Sequence, residues 1–349
     1  MNRARMLRLH RIIGLAMAAF LLVQALSGAM LVYRGPLARL IDPVAMTSSR
    51  SGVRISAGAA VTQANRATPG YQVTRLFAPD AEDATYFVQL YNSDAAVRYA
   101  SIDPADGAVL RHGGLLAFPV EAALQIHYRL MAGKAGMILV AFNGLALLAM
   151  VATGLAFWWP RGGTIRKALA VRWTLSPRMV LRQCHRTAGV VLAAILLFIA
   201  ITGLLLIVPE LMENSAAPVS TSASSVAIDR SFALAQTAFP DAALRDLRLD
   251  GDRLIVNFHA PERNDRAIHR VIVTLAQPRI VSASHASTNS ALWMAVLPLH
   301  AGDAFGPVGP TLLLIVALLL ATLAVSGPLM WWQAKAARRC PATTRKRMP

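Results

Sequence analysis

The chain has 349 residues, 55% of them hydrophobic and 15% charged, with a formal charge of +17. So apolar a composition excludes a single water-soluble domain, and the length leaves room for four membrane spans plus two small domains. The charge is not spread as nucleic-acid binding would need. Residues 1–11 hold four Lys/Arg, 160–186 hold seven and 333–349 hold six, none with an Asp or Glu beside them, while elsewhere eighteen basic residues cancel eighteen acidic ones. Basic segments flanking apolar runs follow the positive-inside rule, which puts both termini and the middle connection in the cytoplasm.

Four apolar runs, Ile12 to Tyr33, Met137 to Trp159, Gly189 to Val208 and Thr311 to Trp332, are each near the ~20 residues that cross a ~30 Å hydrocarbon core. None contains an Asp, Glu, Lys or Arg, which counts against an ion-coupled transporter. The first run is longer than a signal-peptide core and recurs mid-chain, so it is expected to be retained. Between the first two runs, Ser56 can cap a short helix through Arg66. Strands are expected at Gln72 to Phe77, Thr85 to Tyr91 and Arg98 to Ile102, and Asp103-Pro104-Ala105-Asp106-Gly107 reads as a turn. Between the last two runs, Ser215 to Ser225 reads as a flexible linker and Asp229 as the cap of a helix to Phe239. Strands are expected at Ala243 to Leu249, Arg253 to His259 and Ile268 to Leu275, with an Asp250-Gly251 hairpin turn. Both modules are too small for a deep core and should lean on each other or on the membrane face. Cys184 and Cys340 fall on the cytoplasmic side, where no disulfide is expected.

The two halves of the chain repeat. His10 to Gly28 (HRIIGLAMAAFLLVQALSG) aligns with His185 to Gly203 (HRTAGVVLAAILLFIAITG), and the His-to-Gly spacing is 18 in both. His127 to Gly154 and His300 to Gly327 are both spaced by 27, and the first Trp of each WW pair follows its His by 31. The expected fold is thus a mainly α membrane protein: a four-transmembrane-helix bundle made of two parallel helix-loop-helix repeats, with two small α+β periplasmic modules. Residues 1–36 form the cytoplasmic N-terminus and first span, 37–126 a periplasmic module, 127–160 the second span and 161–186 the basic connection. The third span is 187–209, the second module 210–299, the fourth span 300–333 and the basic tail 334–349.

Four of the eight histidines sit at equivalent places in the halves. The topology puts His10 and His185 at the cytoplasmic ends of their spans and His127 and His300 at the outer ends, one pair to a face. A neutral imidazole is the usual axial ligand of haem iron, and bundles hold cofactors between facing helices, so two bis-histidine b-type haems are expected. No C-x-x-C-H is present for a c-type attachment. Arg11, Arg186 and Arg129, beside these histidines, could pair with haem propionates. Gly14, Gly28, Gly154, Gly189, Gly203 and Gly327 could admit a flat macrocycle, though small residues at helix contacts need no cofactor to explain them. His112, His259, His269 and His285 have no counterparts and read as surface residues. A competing reading is a haem-free membrane anchor whose outer modules bind a periplasmic peptidase or chelate.

The segments HRIIGL and LSG of the first span, LHAGDAFG and SGPLMWW of the fourth, and SIDPADGAVL of the first loop resemble the PepSY-associated transmembrane family, whose members include inner-membrane ferric-siderophore reductases. The resemblance covers nearly the whole chain, although the second loop lacks the D-P-x-x-G turn. It implies PepSY-like periplasmic modules, haem on His10, His127, His185 and His300, and electron delivery to a periplasmic ferric siderophore or other ferric chelate. The protein is accordingly expected to be a multi-pass protein of the bacterial inner membrane, an oxidoreductase with the lipid bilayer as its surroundings. Its electron donor would be a quinol or a cytoplasmic reductase, since no G-x-G-x-x-G follows a strand in the chain itself.

Overall fold

A computed structural model describes residues 3–48, 53–160, 162, 164–212 and 223–339. The chain opens with α1 (Arg3–Val32), α2 (Arg34–Ile41), α3 (Pro43–Met46) and α4 (Ala57–Ala67), followed by β1 (Gln72–Phe77), β2 (Tyr86–Tyr91), β3 (Val97–Ile102) and β4 (Val109–Gly113). Helices α5 (Pro119–Arg129), α6 (Gly133–Trp158), α7 (Ile165–Leu169), α8 (Pro177–Val191), α9 (Ala193–Met212) and α10 (Ser225–Gln236) come next. Then follow β5 (Leu244–Asp250), β6 (Arg253–His259), β7 (Ile268–Thr274), β8 (Ile280–Ser284), α11 (Leu292–Ala301) and α12 (Val308–Arg339). Two compact units result: a helical one of Met1–Val32, Gln125–Leu211 and Pro307–Pro349, and a sheet unit of Tyr33–Leu124 and Met212–Gly306.

In the helical unit, α1, α6, α9 and α12 run for 30, 26, 20 and 32 residues and are apolar and long enough to cross a membrane. Helix α1 packs on α6 and α12, and α8 packs on the same two. Leu21, Leu147, Val151, Leu196, Ala200 and Val316 close the interior between them. The opposite faces are apolar as well: Ile12, Phe142, Ile201 and Ile315 are exposed. A bundle greasy on both sides is unstable in water and suited to lipid, and this supports a multi-pass membrane protein.

Two local features differ from the expected spans and a third agrees with them. The basic stretch ahead of Ile12 is continuous helix from Arg3. The last part of the basic connection is also helical, and only Leu192 separates α8 from α9, its N–H bonding back to Ala188. The polar stretch after His127 folds back as expected, through left-handed Leu130 and Met131. The reversal is tight enough that a Cβ on Gly136 would lie 1.6 Å from the Arg129 carbonyl oxygen, so only glycine fits there.

The sheet unit is one antiparallel sheet in the order β4-β3-β2-β1-β5-β6-β7-β8, two four-strand meanders joined along β1 and β5. The two expected modules are therefore a single compact unit with a shared core, in which Val61 of α4 and Leu76, Val88 and Ile102 of the first meander pack with Ile228 of α10 and Leu247, Val256 and Val271 of the second. At the seam Arg75 and Arg248 stand opposite each other and both pair with Asp246, whose side chain is 0% exposed. Burial alone would raise the Asp246 carboxyl, but Arg75, Arg248 and an Asn257 hydrogen bond outweigh it and hold it below its ordinary value.

Two expectations are corrected here. Ser224, not Asp229, caps α10, its side chain accepting from the Ala227 N–H. Asp229 instead reaches across to the start of α4, where its carboxylate accepts from the Gly58 N–H at 2.8 Å and the Ser56 hydroxyl at 2.7 Å. An acid at a helix N-terminus suits the helix dipole, but here it serves the neighbouring helix. Ser56 caps α4 as expected. His269 is not a surface residue: it is 7% exposed, stacked on Phe239 at 4.3 Å and bonded through Nδ1 to the Ala286 N–H. Its Nε2 lies 3.0 Å from Glu262. Most of the expected linker, and Cys340, lie outside the described residues.

Candidate functional site

Within the helical unit, three of the four recurring histidines are held in one way. His10 on α1 points its Nδ1 at the neighbouring α6, 3.0 Å from the Met150 carbonyl and 3.1 Å from the Thr153 hydroxyl. His127, at the end of α5, points its Nδ1 at α1, 3.1 Å from both the Gln24 carbonyl and the Ser27 hydroxyl. His185 on α8 has its Nδ1 2.7 Å from the Ser326 hydroxyl of α12. Each hydroxyl is followed by a glycine that leaves room for the ring. A Cβ on Gly28 would stand 3.0 Å from His127, one on Gly154 3.3 Å from His10, and one on Gly327 3.7 Å from His185.

This arrangement fixes the tautomer. A carbonyl only accepts, so Nδ1 of neutral His10 and His127 carries the proton and Nε2 keeps the lone pair. Ser326 donates its own proton to the Leu323 carbonyl, which leaves its oxygen to accept from His185 in the same sense. Ser27 and Thr153 likewise donate back to Val23 and Ala149. Tying down one imidazole nitrogen so that the other presents its lone pair is how proteins prepare a histidine for a metal.

No group of three or more His, Cys, Asp and Glu is placed to hold a metal among the described residues. His300 lies in the last turn of α11, in the sheet unit. Thr202-Gly203 of α9 takes the place in the second half that Ser27-Gly28 takes in the first, and Thr202 donates back to Phe198 in the same way.

The arginines separate. Arg11 is exposed. Arg186 gives one nitrogen to the Ala170 carbonyl, but among the described residues its Nε is buried without a partner, as is the indole N–H of Trp158. Both residues line an open cleft of about 470 Å³ with Arg3, at the end of the unit that holds His10 and His185. Arg129 pairs with Glu210 at 3.1 Å, and the Tyr128 hydroxyl donates to the same carboxylate. Its guanidinium is thus already neutralised, with Nε again buried and unpaired among the described residues, as is the side-chain NH2 of Gln24 beside His127. Orphaned donors are rare in folded chains and mark places where an acceptor belongs.

The Ser/Thr-Gly dipeptides were legible as a pattern, recurring as Ser27-Gly28, Thr153-Gly154, Thr202-Gly203 and Ser326-Gly327. What the sequence left open was their role, because the hydroxyl serves a histidine on another helix.

These observations define a class: a multi-pass membrane protein with clasped histidines in its helical unit and a second, sheet-bearing unit. The chain belongs to the family described as the PepSY-associated TM region, whose family model matches residues 7–334, nearly its whole length. No curated protein matches it.

Proposed function

We propose that this chain is a dihaem b-type cytochrome of the bacterial inner membrane that carries single electrons outward and reduces a ferric siderophore or other ferric chelate. His10 and His185 hold one haem and His127 and His300 the other. The observation that carries the reading is the clasp: at His10, His127 and His185 the Nδ1 proton is committed to a neighbouring helix, so Nε2 offers its lone pair. Bound haem supplies reversible one-electron iron chemistry at each site.

The chain's own part is positioning. Met150, Gln24 and Ser326 fix ring orientation, Gly28, Gly154 and Gly327 clear the space beside each ring, and the unpaired donors of Arg186 and Trp158 suit a propionate carboxylate. Near His127 the Gln24 amide is the corresponding unpaired donor, Arg129 being committed to Glu210. The basic segments orient the chain with both termini in the cytoplasm and the sheet unit in the periplasm. The mirrored strand order supports two duplicated PepSY-like halves. Electrons come from a quinol or a cytoplasmic reductase.

Haem quantitation on protein purified from haem-replete cells tests this. The reading expects two haems per chain with a bis-histidine low-spin spectrum. No Soret band, even after reconstitution with haemin, would overturn it in favour of a haem-free anchor.

A further inference from the structure

A half-open bowl of about 340 Å³ is cut into the sheet unit where α2, the end of β1 and the start of α5 converge. Aromatic rings from three elements line it. Phe87 meets Phe118 edge-on at 5.4 Å and Phe77 at 6.3 Å; Phe118 is buried, Phe87 is stacked on Tyr99 and Phe77 carries the Arg75 guanidinium at 4.2 Å, so the partly exposed remainders of Phe77 and Phe87 are what another ring can meet. The charged groups of the lining almost all cancel: Arg34 pairs with Glu121, Arg39 with Asp80, and Asp42 with Arg111. Arg245 is the exception, because among the described residues it makes no salt bridge and gives only one hydrogen bond, from Nη1 to the Arg266 carbonyl at 3.1 Å. Its backbone carbonyl accepts from Ala78 at the β1 and β5 seam, which fixes the arginine beside Phe77. The bowl thus combines an aromatic lining with one arginine outside these ion pairs: the Arg245 guanidinium lies 6.0 Å over the Trp293 ring and is attracted by Asp246, but Arg75 and Arg248 share that one carboxylate, which leaves positive charge in excess.

Resting on the reading of this chain as a ferric-chelate reductase, we propose that the bowl is where the chelate docks. It selects an anionic chelate with aromatic donor groups, of the catecholate type, over a neutral or cationic hydroxamate. A volume of this size takes one arm of such a chelate rather than the whole. One arm suffices, since the reduction moves a single electron onto ferric iron, giving ferrous iron, and no bond to the protein forms. A ring of the chelate meets Phe77 or Phe87, and Arg245 meets the net negative charge.

Equilibrium dialysis with iron quantitation on the purified full-length protein tests this, since it reads binding whether or not haem is present. The probes are the ferric complexes of a hexadentate tris-catecholate and of a linear trihydroxamate. The wild type is expected to bind the catecholate complex at least tenfold more tightly. Arg245→Gln should lose about tenfold for the catecholate and little for the hydroxamate, and Ala38→Trp, which fills the bowl from α2, should abolish binding of the catecholate. Circular dichroism and an unchanged melting temperature establish that each variant is folded. Equal affinity for both complexes, or undiminished binding by folded Ala38→Trp, overturns the proposal. Catecholate binding by a protein without haem would keep the bowl and remove the cytochrome reading. Normal haem content with full catecholate reduction by Ala38→Trp would do the reverse.

Discussion

At the scale of single residues, the strength of each clasp depends on how many acceptors the Nδ1 proton has. His10 has a carbonyl and a hydroxyl, whereas His185 has the Ser326 hydroxyl. Ser326→Ala should therefore weaken haem retention by about tenfold to a hundredfold, and Thr153→Ala by much less, because the Met150 carbonyl remains. Transfer of haem to apomyoglobin from the purified variants measures this; equal retention in Ser326→Ala and wild type would contradict the role given to the hydroxyl. His269 supplies a second prediction. Its replacement by Ala removes a buried stack on Phe239 and leaves the Ala286 N–H unpaired, so it should cost about 2–4 kcal/mol. His112→Ala, at an exposed position, should stay within about 0.5 kcal/mol. Thermal unfolding of the two variants compares them. All eight histidines were equally visible in the sequence, but burial was not: His269 lies in β7, whose alternation marks one face as buried without saying that another part of the chain will cover the other.

At the scale of elements, strands with period-two alternation were readable almost to the residue, as β1 and β6 were. The missed strands β4 and β8 are the two edges of the sheet. Each pairs on one side only, and β8 buries none of its residues, so neither carries an alternating pattern. The seam between β1 and β5 was not legible either, because no local signal says which strands from distant loops will pair. Its energetics centre on Asp246. Asp246→Asn leaves Arg75 without its ion pair and should destabilise the protein by about 3–5 kcal/mol. Because the folded carboxyl is held below its unfolded value of about 3.9, the stabilisation is complete above that pH and is lost as pH falls through the lower, folded value. Melting temperatures of wild type and Asp246→Asn should therefore differ most near neutrality and converge in strong acid. A gap that stayed constant to the lowest accessible pH would show that the charge of Asp246 is not what the seam uses.

At the scale of the whole molecule, the four apolar helices and the fixed spacing of the histidines were plain in the sequence, because length, hydropathy and recurrence are properties of the chain itself. The fusion of two loops into one sheet was not, since it depends on contacts between segments well over a hundred residues apart. The proposed topology makes a simple demand: reporter fusions after Gly107 and Ala286 should report the periplasm, and one after Arg172 the cytoplasm. A cytoplasmic signal at Gly107 would invert the arrangement and leave the bowl on the wrong side for an external chelate. The central claim is that clasped histidines hold two separate haems, and optical redox titration of His10→Ala and His185→Ala with haem quantitation tests it most directly. The account predicts that each variant loses the same one of two haems, that the double variant is no worse than either single one, and that His127→Ala removes the other. Loss of the same absorbing species in His10→Ala and His127→Ala, with haem content falling to zero in both at normal protein yield, would contradict it.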